Sequence, residues 1–95
     1  MRKFHAAPKF NNVSGAGATT AVKTSFGSLI GVTINGVTTA GTITIYDNTA
    51  GSGTTIATIA SAAVAQGQFY PYPADFNTGL TVVHTNTMNF TVTYR

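Results

Sequence analysis

The chain has no cysteine, no tryptophan and no glutamate, and only seven charged side chains in 95 residues. Without cysteine, neither a disulfide nor a thiolate-bound metal can brace it. That matters at this length, because a single domain of this size hides only about 60–65% of its unfolded surface. Association with other subunits is the remaining common source of stability. Charged residues make up 7% of the chain, against roughly 25% in ordinary soluble domains. Long hydrophobic runs are missing too. No stretch approaches the roughly 20 apolar residues of a membrane helix, and no apolar run comes after the basic N-terminus, as a signal peptide would require. The expectation is a soluble protein made inside a cell, with no membrane partner.

The few charges are unevenly placed. Arg2, Lys3 and Lys9 lie in the first nine residues, and from residue 10 onward Lys23 and Arg95 balance Asp47 and Asp75. The body is therefore neutral, and a neutral body associates readily because no net repulsion holds copies apart. The pI of about 9.6 describes the leader and not a basic face. Three cations give only a small electrostatic term toward phosphates, so no nucleic-acid partner is expected.

What is abundant is β-forming. Eighteen Thr, eight Val and six Ile make up a third of the chain. Their side chains are stiff at χ1 and suit a pleated surface better than a helix. Residues 1–17 show no alternation and end in small residues, which reads as an extended N-terminal arm; residues 18–95 read as one all-β domain. About seven strands are expected there at regular spacing. The first lies near Thr19–Thr24. "SLIGVTIN" puts Ile30, Val32 and Ile34 on one face, and "TITIYD" does so with Ile43 and Ile45. "TTIATIA" alternates more weakly. A short strand near Gln66–Tyr70 should stop at Pro71 and Pro73, leaving "PYPADFNTG" to cross between sheets. "LTVVHT" groups Leu80, Val82 and His84, and "NFTVTY" groups Phe90, Val92 and Tyr94. Asn35–Gly36 reads as a hairpin turn, and "DNTAGSG" (47–53) as a longer polar loop. This pattern fits antiparallel sheets covered on one face, with Thr, Ser and Asn hydrating the other.

Chemistry-bearing constellations are sparse. A two-carboxylate site would have to use both Asp47 and Asp75, and each sits in a polar stretch where Asp commonly makes turns. No nucleophile motif accompanies the serines. His5 and His84 have no Cys or Glu beside them to complete a metal site, and His84 reads as a packed structural residue. No enzyme activity, cofactor or metal is expected. Phe69, Tyr70, Tyr72 and Phe76 gather four aromatics in eight residues. They form either a contact or sugar-stacking surface or the plug of one end of the domain, with core and interface use favoured. In the arm, Arg2, Lys3, Phe4, His5, Lys9 and Phe10 are the candidate contacts to a protein neighbour.

Several stretches together resemble a group of small structural proteins of tailed-phage virions. They are "GSLIGVTIN" (27–35), "TIYDN" (44–48) with the Ile-rich strand after it, "FNTGL" (76–80) and the closing "NFTVTY". The resemblance spans about three-quarters of the chain. It implies an antiparallel β-sandwich of the jelly-roll or immunoglobulin-like kind, and a capsid cement or decoration protein on the virion surface, synthesised in the host cytoplasm. It further implies a homotrimer seated on the major capsid protein. The alternatives are a head-fibre, tail or baseplate component, or a carbohydrate-binding adsorption module.

Overall fold

A computed structural model describes residues 7–60 and 67–95 of the chain. Among them are eight strands: β1 (Lys9–Gly15), β2 (Ala18–Lys23), β3 (Gly27–Val37), β4 (Thr42–Asp47), β5 (Thr54–Ala60), β6 (Phe69–Phe76), β7 (Leu80–His84) and β8 (Met88–Tyr94). They build two four-stranded antiparallel sheets. Sheet A runs β1-β8-β3-β6 and sheet B runs β2-β7-β4-β5. Each strand of the first half pairs with its counterpart in the second: β1 with β8, β2 with β7, β3 with β6 and β4 with β5. The chain is thus a ribbon doubled back at the β4–β5 hairpin. The architecture is all-β and compatible with the expected sandwich.

One apolar cluster draws on both sheets. Val13, Leu29, Val32, Ile34, Phe76, Met88, Phe90 and Val92 come from sheet A; Ile43, Ile45, Ala57, Ile59, Leu80 and Val82 come from sheet B. Period-two alternation delivers them, since every second side chain of a strand points the same way. His84 is the polar member. It lies edge-on to Phe90, with ring centroids 5.3 Å apart, and its Nε2 donates to the Gly15 carbonyl at 3.2 Å.

Several expectations are corrected. The arm does not extend to residue 17. Lys9–Gly15 form β1, paired along its full length with β8, and Val13 enters the core; residues 1–6, with Arg2, Lys3, Phe4 and His5, lie outside the described residues. A strand of sheet A was concealed here because only one of its residues is fully buried, so no alternation shows. Asn35–Gly36 is no hairpin turn. β3 runs straight through it to Val37, with a register shift against β8 between Ile34 and Gly36. A second shift between Leu29 and Gly31 reverses the phase of the strand, so Leu29 and not Ile30 joins Val32 and Ile34 inside. Such bulges add a residue to one strand and turn the side chains beyond it to the opposite face.

The prolines also behave differently from expectation. β6 continues through Pro71 and Pro73 to Phe76. It is the edge strand of sheet A, where a missing N–H facing outward breaks no ladder. The crossing to sheet B occurs afterwards, at Asn77–Gly79. Gln66, where this strand was expected to begin, lies outside the described residues.

The core carries most of the stability. Phe90 is fully buried, and replacing a buried Phe by Ala costs about 3–5 kcal/mol out of the roughly 5–15 kcal/mol available to a small domain. Phe90→Ala is therefore expected to lower the urea midpoint sharply and leave a large unfolded fraction at 37 °C. Denaturation monitored by circular dichroism checks this.

Candidate partner-contact surface

The two sheets treat their outer faces differently. On sheet B, the loop between β4 and β5 folds back over the strands. Asn48 is clasped to it: its amide Nδ2 donates to the Ser52 carbonyl at 2.7 Å, and its own carbonyl accepts the Thr81 hydroxyl at 2.7 Å. Thr81 points outward in β7 yet is fully buried. Beside it the outer face carries a cross-strand row of Thr19, Val83, Thr44 and Thr58. Such pairs contribute roughly 0.2–1 kcal/mol each.

Asp47 fixes the other end of that loop. Its carboxylate accepts the backbone N–H groups of Asn77 (3.0 Å), Thr78 (2.9 Å) and Gly79 (3.4 Å), a small anion-binding nest. The amides of Asn77 and Thr78 hold its carboxyl below the ordinary value of 3.8; partial burial opposes them, and the Gly79 amide adds to the lowering. This aspartate ties β4 to the crossing between β6 and β7.

Sheet A has no such cover among the described residues. From the register, one cross-strand row on its outer face reads Phe10, Thr93, Gly31 and Pro71, and the next reads Asn12, Thr91, Thr33 and Phe69. Phe10 is 72% exposed and Phe69 46%. Gly31 explains how Phe69 lies flat on the sheet. A Cβ at position 31 would stand 2.5 Å from the Phe69 ring and 2.6 Å from the Tyr70 carbonyl, so only glycine admits that contact.

Amides and hydroxyls knit this face together. Asn12 Nδ2 donates to Asn89 Oδ1 (2.8 Å) and Thr91 Oγ1 (3.2 Å), while from the other side Asn35 Nδ2 donates to the same two atoms at 2.9 and 3.0 Å. Three strands are thereby cross-linked by uncharged groups. Across the four strands of sheet A the only charge at an outward position is Asp75, at one end of β6, which accepts the Ser28 hydroxyl at 2.6 Å.

The candidate residues named from sequence are divided by this geometry. Lys9 and Phe10 belong to β1, with Phe10 on the outer face of sheet A. The four aromatics of 69–76 do not share one platform. Phe69 faces outward, Tyr70 and Tyr72 pack against the core half-buried, and Phe76 is inside it. Sequence reasoning missed the Asn12–Asn35–Asn89–Thr91 network, because it exists only once the register of three strands is known. It also missed Phe26, 74% exposed between β2 and β3; an aromatic inside "KTSFGS" was the visible signal. No group of three His, Asp or Glu among the described residues is placed to hold a metal ion. Comparison with protein-family models, with curated proteins and with solved structures found no match.

Asp47 supplies a pH test. A carboxyl whose folded pKa lies below its unfolded value contributes stability that is present above the unfolded value and lost as pH falls through the folded one. Thermal stability is expected to decline as pH drops below 3.8. Asp47→Asn, which keeps an acceptor but no charge, should be less stable than the parent at pH 6 and should flatten that decline. A melting series from pH 6 to pH 2 reads both.

Proposed function

We propose that the chain is a non-enzymatic virion structural protein, a capsid cement or decoration subunit that binds the major capsid lattice. The observation that carries this reading is the outer face of sheet A, which no described residue covers, nearly free of charge and held by its own side-chain network. Such a face is ready to be covered: few ions must be desolvated, and its side chains are already ordered, which lowers the entropy cost of binding.

The strand order supports the same reading. Two sheets ordered 1-8-3-6 and 2-7-4-5 match the strand order expected of a jelly roll, which favours that type over the immunoglobulin-like one. Jelly rolls are frequent in viral capsid and lectin domains, although a fold by itself names no function; the resemblance of the sequence to small tailed-phage structural proteins selects the capsid branch. In the proposed assembly the protein is a homotrimer on the capsid exterior. Phe10 and Phe69 act as apolar anchors, and Arg2 and Lys3 of the leader, with Lys9 at the start of β1, steer it to acidic capsid surface. Repetition around the trimer multiplies weak contacts.

The test is reconstitution. Purified protein added to particles stripped of it should rebind in saturable, lattice-repeating copy number, counted by electron cryomicroscopy. Phe10→Ser with Phe69→Ser should lower occupancy at least about tenfold, the equivalent of 1.4 kcal/mol, with an unchanged circular dichroism spectrum. Density confined to the tail in few copies would favour a tail or baseplate component. Absence of rebinding would overturn the assignment.

A further inference from the structure

A second feature lies at one end of the domain, where β2 ends, β3 begins and β8 ends, and takes in Ser28 and Asp75 from the rim of sheet A. A cleft of about 510 Å³ opens there, lined by Lys23, Phe26, Ser28, Asp75, Asn77 and Arg95, with Gly27 and Phe76 beneath. Three of the five charged side chains among the described residues meet in this one place. We propose that the cleft binds a saccharide that carries a carboxylate group.

Charge is the first indication. Lys23 Nζ lies 3.4 Å from the Arg95 carbonyl oxygen, and Asp75 accepts the Ser28 hydroxyl. No ion pair joins the three charges among the described residues. Lys23 is thus held at the main-chain oxygen of Arg95, and the Arg95 guanidinium, whose planar fork of N–H donors matches a carboxylate, is the group that receives the ligand's acid.

The rest of the lining fits a sugar ring. Phe26 is 74% exposed, and its flat face offers an apolar surface to the C–H side of a pyranose. Asp75 has acceptor capacity beyond the Ser28 bond, and Asn77 carries an amide that both donates and accepts. A carboxylate next to an amide suits neighbouring hydroxyls, each of which donates and accepts. The volume falls within the range of small-molecule sites, about 300–1,000 Å³. An acidic peptide fits less well, because its side chains bring only acceptors, whereas the hydroxyls of a sugar also donate to Asp75. Gly27 keeps the floor open: a Cβ there would run into the Arg95 carbonyl oxygen and stand 2.8 Å from the Phe76 ring and 3.0 Å from Lys23 Nζ. This inference stands on the cleft alone and does not depend on the capsid assignment.

The experiment is a ¹⁵N-NMR titration of the full chain with a glucuronic-acid disaccharide, its neutral glucose counterpart and tetraglutamate in parallel. The uronate is expected to shift the amides of Lys23, Phe26, Ser28 and Asn77 saturably. Phe26→Ser and Asp75→Asn should each weaken that binding about tenfold while leaving the dispersion of the spectrum intact. The neutral disaccharide should bind more weakly than the uronate, and Arg95→Gln should narrow the difference. No shift at ~20 mM uronate, well above millimolar affinity, would overturn the proposal. So would equal binding of the neutral sugar, or tetraglutamate binding that survives Asp75→Asn.

Discussion

Between the two sheets, Leu29, Val32, Ile34, Phe90 and Val92 share one apolar cluster with Ile43, Ile45, Leu80 and Val82, and nearly every other feature presupposes that contact. No disulfide supplements it, and no ion pair does so among the described residues. Each of these side chains contributes about 1.5–3 kcal/mol when fully buried, and together they offset the entropy of ordering the chain. The doubled-back ribbon is what brings them together. Because β1 pairs with β8 and β2 with β7, residues 57 to 85 positions apart must meet before the layer closes. Local propensity makes strands, but only the closed layer makes the domain.

With the core accounted for, the uncharged exterior becomes intelligible. Threonine fits the pleat with its methyl group and hydrates with its hydroxyl, so rows such as Thr44 and Thr58 need no ions to remain compatible with water. Asparagine does a further task on sheet A, where Asn12 and Asn35 grip Asn89 and Thr91 from both sides. The few carboxylates serve turns and strand ends: Asp47 holds the amides of 77–79, and Asp75 holds Ser28. The result, among the described residues, is one sheet roofed by its own loop and one left open, and the open one is the surface the proposed assembly role uses.

Much of this was legible in the sequence. Alternation located β4, β7 and β8 and their inward residues, and threonine content set the fold class. What escaped has physical causes. β1 was hidden because Asn11 and Asn12 obscure the alternation around Val13. On β3, Val32 and Ile34 were placed correctly, but Ile30 was put inside because the bulge between Leu29 and Gly31 is decided by pairing with β6 and β8. Asn35–Gly36 read as a turn where pairing with β8 makes an irregularity within the strand. The prolines of β6 argue against a strand only in a sheet interior, and edge position cannot be read from one strand. At the surface, Phe10 and Phe69 were named from sequence, but their place on one face emerged only from register. Phe26 and its cleft required the chain ends of three strands to converge.

The central question is which face the assembly covers, and hydrogen exchange on free protein and on assembled particles measures that directly. Assembly is expected to add protection at the edge-strand amides of β1 and β6, around Phe10–Asn12 and Phe69–Tyr72, while the Thr44 and Thr58 region of sheet B keeps its rate. Unchanged exchange at β1 and β6, or new protection confined to sheet B, would contradict it.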